Sequence, residues 1–190
     1  MPAGLPNPAG AVEREKLVDL WEAIKERRST RRYGQGDVPP ERVEQLLQAA
    51  ITAPSAGNCQ PWHFVVVRDP ETKQGLAEAA YGQQFVAQAP VVIVVCADPA
   101  RSASRYGRRG SELYCLQDTA AATEHILLGV TALGLGACWV GAFDERAAAT
   151  VLDLPSHLRP VVMIPIGHPG ERFAGPTSRR PLSEITTFIE

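Results

Sequence analysis

A single domain mixing helices with strands, α/β or α+β, is the fold class this 190-residue chain predicts. Three observations carry it. Apolar residues recur at helical spacing at 17–24 and again at 43–51. Short β-branched runs, above all Val91-Val92-Ile93-Val94-Val95-Cys96, alternate with those helical patterns. Proline and glycine punctuate the joins. Periodicity does not give the order of the strands.

Taken along the chain, residues 1–10 are rich in Pro and Gly and predict a loose arm, leaving 11–190 as one domain. A helix follows from Val12, with Leu17, Leu20, Trp21 and Ile24 on one face, and runs out near Arg27. Pro39-Pro40-Glu41 opens a second helix whose face is Val43, Leu46, Leu47, Ala50 and Ile51; Pro54 forbids its continuation. Phe64 to Val67 predicts a strand, Glu71 to Tyr81 a helix, and Phe85-Val86 a short amphipathic piece. The run 91–96 is apolar on both faces and predicts a central strand. Arg101 to Gly110 is expected to be a polar loop, either a solvated connection or a basic mouth for an anionic reductant. A long helix, apolar nearly all round, covers Glu112 to Leu133 and is expected to be buried. Gly134 and Gly136 end it. Ala137–Val140 and Val161–Ile166 predict two further strands, with Asp144 as N-cap of a helix reaching Leu152. The tail from Pro169 has no strong period.

The bulk numbers exclude several classes. A chain 45% hydrophobic and 21% charged, with formal net charge -2, is that of an ordinary globular protein and gives no reason to expect nucleic acid as partner. No apolar run is long enough to span a bilayer. The four cysteines, Cys59, Cys96, Cys115 and Cys138, form no CxxC pair and no zinc spacing, so reduced thiols in a cytoplasm are expected. The histidines are isolated, and no nucleophile, acid/base pair or metal set stands out. The reactive atoms are therefore expected to come from a cofactor.

Two segments indicate which kind. Arg27-Arg28-Ser29-Thr30-Arg31-Arg32-Tyr33 gathers guanidinium and hydroxyl groups, the chemistry of phosphate capture. Because a helix C-terminus repels anions, the arginines themselves must supply the attraction. Ala53-Pro54-Ser55-Ala56-Gly57-Asn58-Cys59-Gln60-Pro61-Trp62 is a small-residue loop where backbone can approach a flat ligand. Together they point to a phosphorylated, planar cofactor. Gly141-Ala142-Phe143-Asp144 follows a strand and precedes a helix, where backbone N–H groups can face a ligand or simply turn. Ser178-Arg179-Arg180-Pro181-Leu182 is compact and basic; spacing alone favours a surface patch.

These segments, with Gly134-Leu135-Gly136 and Val140-Gly141, resemble the FMN-dependent nitroreductase family, especially its short NADH oxidase-like members, from Leu17 to Ile185. The resemblance implies an α+β fold, a central and mainly antiparallel sheet flanked by helices. It also implies an intertwined homodimer with exchanged C-terminal tails and FMN at the interface. On the matching positions, Arg27, Ser29 and Arg31 would hold the phosphate and ribityl chain, with Arg28 beside the flavin ring. Arg179 would be a further phosphate-side arginine. Pro54 and Ser55 would reach the isoalloxazine from the partner subunit, and the amide of Asn58 would contact the flavin. Val140 and Gly141 would present backbone N–H groups to N5. The implied activity is ping-pong hydride transfer from NADH or NADPH, through FMN, to a nitroaromatic, quinone or similar small acceptor; no side chain is assigned as catalytic. Flavin destruction, dehalogenation or azoline oxidation on the same fold, or an FMN storage module without turnover, are the alternatives. Arg101, Arg105, Arg108 and Arg109 could favour the extra phosphate of NADPH, and the sequence leaves that choice open.

Overall fold

In the computed structural model, which describes residues 19–170 and 177–190, the β-branched run becomes β2 (Val91–Ala97), the second strand of a four-stranded sheet. The others are β1 (Trp62–Val67), β3 (Gly136–Ala137) and β4 (Arg159–Gly167), in the order β1-β2-β4-β3, all neighbours antiparallel. The expected arm at 1–10 and the first part of the first helix, including Leu17, lie outside the described residues.

All seven residues of β2 are buried because both faces of the sheet are covered. Side chains alternate across a strand, so Val91, Ile93 and Val95 pack beneath one helical layer and Val92, Val94 and Cys96 beneath the other. The first layer is α2 (Pro40–Ile51) and α6 (Cys115–Ala132), through Leu46, Ala50, Ile126 and Val130. The second is α3 (Pro70–Ala79), α4 (Phe85–Gln88) and α7 (Glu145–Val151), through Leu76, Val86 and Ala148. An apolar run unbroken by alternation is the sequence signature of such a doubly covered strand.

Caps fall where residue type predicts them. Asp144 Oδ1 accepts from the N–H groups of Arg146 (2.8 Å) and Ala147 (3.0 Å), opening α7. Gly134, at φ +69°, ends α6, and the Leu135 N–H returns to the Val130 carbonyl at 2.9 Å. The first helix, α1 (Leu20–Glu26), ends on Arg27 as its C-cap.

Two expectations are corrected. The stretch 101–110 is helical, not a loop: α5 (Pro99–Arg109) starts on Asp98, whose Oδ1 accepts from the Arg101 N–H at 3.1 Å, and it bends at Gly107, φ +55°. The Asp-Pro pair at its head, an N-cap followed by proline at N1, was the signal for that start. From Gly110 a π-helical turn (Gly110–Tyr114) leads directly into α6. The strand expected at 137–140 pairs regularly only at Gly136–Ala137, then rejoins the sheet at Val140, opposite Met163. Strand-like alternation nevertheless persists through the gap: Cys138 and Val140 face the second core while Trp139 between them is exposed.

Candidate functional site at the two sheet edges

The segment Arg27–Tyr33 docks on the β3 edge. Ser29 bridges Ala137 in parallel, and the Thr30 N–H donates to the Ala137 carbonyl at 2.8 Å. Gly136 makes that approach possible, since a Cβ there would lie 2.7 Å from Thr30 Oγ1. Tyr33 locks the far end of the segment: its hydroxyl lies 3.0 Å from both the Thr30 and Pro165 carbonyls, and burial pushes its phenol far up.

This docking brings Arg27, Ser29 and Arg31 near enough to the buried thiol of Cys138 to influence it. Burial raises the Cys138 thiol, against the lowering influence of Arg31, a hydrogen bond with the Ser29 side chain, and Arg27. The Arg31 guanidinium sits over the Phe85 ring at 5.9 Å. The Arg27 Nε is 4.0 Å from Glu124 Oε1 on α6. Val140 and Gly141 lie on the same edge. The Val140 N–H donates to the Met163 carbonyl at 2.9 Å and is thereby engaged within the sheet, whereas Gly141 is exposed. Arg28 is placed differently from its neighbours: its Nη1 donates to the Lys25 (2.6 Å) and Arg27 (2.8 Å) carbonyls, capping the C-terminus of α1.

The small-residue loop lies at the other edge, at the entry to β1. Its centre is a 3-10 turn (Ala56–Asn58) with Gly57, Asn58 and Gln60 at φ +54°, +56° and +50°. For Asn58 and Gln60 that conformation costs about 1 kcal/mol each. Ser55 Oγ accepts from the Gln60 N–H at 3.0 Å, and Asp118 Oδ1 on α6 accepts from the Ala56 N–H at 3.1 Å. Asp118 is buried with Oδ2 unpartnered, and burial raises its carboxyl despite the bond from Ala56. Arg105 Nη1 donates to the Gly57 carbonyl at 2.7 Å, and Arg101 Nε donates to that of Cys59.

Within the chain these two groups do not converge. Trp62, where the loop enters β1, is level with Arg159 on β4, while Ala137 is level with Ile166. With ~3.4 Å per residue and ~4.8 Å between strands, the diagonal from Trp62 to Ala137 is about 28 Å. Both groups touch α6, but Asp118 and Glu124 point about 120° apart around it. Arg179 meets neither: its Nη1 contacts Thr177 Oγ1 and the Thr177 and Ser178 carbonyls, on a tail exposed throughout 177–190.

Reasoning from sequence did not place Cys138, Tyr33 or Asp118 in the site. Asp118 had a legible signal, a lone carboxylate on the buried face of an apolar helix; Cys138 looked like packing, which it also is. His125 is a satisfied packing histidine, with Nδ1 3.0 Å from the Ala49 carbonyl. Among the described residues, no group of three or more His, Cys, Asp or Glu could hold a metal ion, and no helix is long and apolar enough to cross a membrane.

Comparison with known proteins gives the family. The family model for the nitroreductase family matches residues 24–86 and 77–168. A protein of Archaeoglobus fulgidus, provisionally named NADH dehydrogenase/NAD(P)H nitroreductase, is 41% identical over 157 residues, 80% of this chain and 87% of its own. The FMN reductase [NAD(P)H] of Bacillus subtilis is 30% identical over 178 residues, 83% of this chain and 69% of its own. The crystal structure of a nitroreductase family protein from Streptococcus pneumoniae superposes with a TM-score of 0.81 at 28% identity, covering 89% of this chain and 99% of that one. A four-stranded antiparallel sheet between helical layers, an arginine-serine segment on its β3 edge and a match from residue 24 to 168 lead to one conclusion: the chain belongs to the nitroreductase family and is an oxidoreductase of that family.

Proposed function

We propose that the chain is an FMN-dependent reductase that works as a homodimer, taking electrons from NADH or NADPH and delivering them to a nitroaromatic, quinone or similar small acceptor in a ping-pong cycle. The observation that carries the reading is the split site. Arg27, Ser29 and Arg31 lie on a segment along one edge of the sheet, while Pro54, Ser55 and Asn58 sit at the diagonally opposite one. A two-fold partner brings the second group of one chain against the first group of the other.

The donor set suits a phosphate monoester: two guanidinium groups and a hydroxyl at one exposed edge, with forks that match phosphate oxygens bidentately. FMN, when bound, supplies the two-electron carrier between nicotinamide and acceptor. The chain's own work is to bind, orient and shield. Arg27, Ser29 and Arg31 hold the phosphate and ribityl end. Gly141 offers an exposed N–H beside the reacting edge of the ring, the Val140 N–H being held by Met163. Pro54, Ser55 and Asn58 of one chain close the ring face of the other, and Arg179 adds a phosphate contact once the tail is docked. Arg28, by capping α1, fixes the direction in which Arg27 and Ser29 leave the helix.

Exposed apolar side chains support the dimer. Trp21 is 76% exposed on α1, and Phe188 and Ile189 are 85% and 96% exposed on the tail. Large side chains of this kind on an extended tail need a surface to cover them. A reducing cytoplasm suits the four free thiols.

The test is the absorption spectrum of purified protein, followed by NADH and NADPH oxidation with a quinone and with a nitroaromatic. Flavin absorption and acceptor-dependent turnover are expected. Protein that takes up no FMN would overturn the reading, and FMN uptake without NAD(P)H consumption would leave a storage module.

A further inference from the structure

We propose that Arg101 and Arg105 of α5, with Asp118 of α6, are positioning residues that hold the Ala56–Gln60 loop in the left-handed form through which Asn58 meets the flavin. The inference rests on the flavin reading above for its consequence, but the clamp itself stands on contacts within this chain.

Three of the loop's residues, Gly57, Asn58 and Gln60, have positive φ, a region that side chains disfavour. Such a conformation persists where the surroundings over-determine it. Here the backbone is engaged from two helices at once. Arg105 Nη1 donates to the Gly57 carbonyl at 2.7 Å, Arg101 Nε donates to the Cys59 carbonyl, and Asp118 Oδ1 accepts from the Ala56 N–H at 3.1 Å. The Asp98 N–H donates to the Pro61 carbonyl at 2.8 Å, so the head of α5 is tied to the loop's exit as well. Gly57 lies so close beneath the Tyr106 hydroxyl and the Arg105 guanidinium that a Cβ would overlap both.

Spacing explains why these two arginines act together. Arg101 and Arg105 are four apart and share a helix face. Arg108 and Arg109 turn elsewhere: Arg108 Nε donates to Glu112 at 2.7 Å and Arg109 Nε to the Tyr114 hydroxyl at 2.9 Å. The basic stretch is thus divided between loop support and its own helix. Both loop contacts run from a charged donor to a carbonyl, the stronger class of hydrogen bond.

The experiment uses the full chain as Arg105→Ala, Arg105→Lys, the Arg101→Ala/Arg105→Ala double variant, and Arg108→Ala as control. Hydrogen exchange across residues 55–60 is read in flavin-free protein, FMN affinity by titration, and KM for NADH and NADPH in the loaded enzyme. In Arg105→Ala the amides of Asn58, Cys59 and Gln60 are expected to exchange about tenfold faster and FMN to bind about tenfold more weakly. Arg105→Lys, which still reaches one carbonyl, should recover most of both, and Arg108→Ala should match the parent. Unchanged loop exchange in the double variant would overturn the clamp. A rise in KM for NADPH alone, with FMN affinity intact, would instead make these arginines coenzyme-phosphate readers. If the parent binds no FMN, the flavin reading fails while the exchange comparison still decides the clamp.

Discussion

Gly136→Ala tests how the β3 edge holds the Arg27–Tyr33 segment, the proposed phosphate site. The added methyl would lie 2.7 Å from Thr30 Oγ1, 2.8 Å from Thr30 Cγ2 and 2.9 Å from Thr30 Cβ. Ordinary carbon contacts begin near ~3.5 Å, so a rotamer change cannot clear the overlap, because Thr30 Cβ itself is involved. The Thr30 backbone must move by roughly half an ångström to one ångström. That motion weakens the Thr30 N–H to Ala137 carbonyl bond and the Ser29–Ala137 bridge. Overpacking costs about 1–3 kcal/mol and a weakened hydrogen bond about 1 kcal/mol, so a loss of about 2–4 kcal/mol in unfolding free energy is expected. Since Arg27, Ser29 and Arg31 travel with Thr30, FMN affinity should fall by about tenfold or more, tenfold being 1.4 kcal/mol. The assay is urea denaturation of the apo-protein alongside FMN titration. Thr30→Ala removes two of the three clashing atoms, so the double variant should regain about 1 kcal/mol over Gly136→Ala alone. A Gly136→Ala protein of parental stability and affinity, or a double variant no better than the single, would refute the packing argument.

Two further outcomes are expected. Burial holds the Asp118 carboxyl above the ordinary aspartate value, so the folded state binds its proton more tightly than the unfolded chain does. The stability this contributes is complete below the ordinary aspartate range and is lost as pH rises through the raised value. Asp118→Asn keeps the acceptor for Ala56 and drops the charge. Its stability relative to the parent should therefore rise from acid to neutral pH, as read by denaturation at several pH values; a relative fall on that path would contradict the assignment. Truncation before Leu182 removes the exposed Leu182, Ile185, Phe188 and Ile189. If the proposed dimer forms through this tail, sedimentation should then show it weakened, and FMN affinity should fall with it; an unaltered dimer would place the interface elsewhere, and a monomeric parent would refute the dimer itself.

Where local chemistry decided the outcome, the sequence was legible. The unbroken β-branched run at 91–96 named the central strand, because a strand covered on both faces has no polar side to show. Asp144, Gly134 and the Pro39-Pro40 pair marked helix ends through single-residue backbone preferences. Arg27, Ser29 and Arg31 stood out as candidate anion ligands from residue type alone, and their segment lies along one edge of the sheet. The stretch 101–110 was misjudged because its polarity resembles a loop, while the partners that steady its arginines, Gly57 and Cys59, are more than forty residues away in sequence.

By itself, then, the sequence determined most of the helices and the central strand and which of their faces are apolar, for these depend on neighbours a few residues apart. Only the tertiary structure decided that β3 and β1 are opposite edges of one sheet. That ordering comes from hydrogen-bonded pairing between strands far apart in the chain, which no local pattern encodes. It separates the arginine segment from the Pro54–Asn58 loop within the chain, and it sets Arg101, Arg105 and Asp118 around that loop.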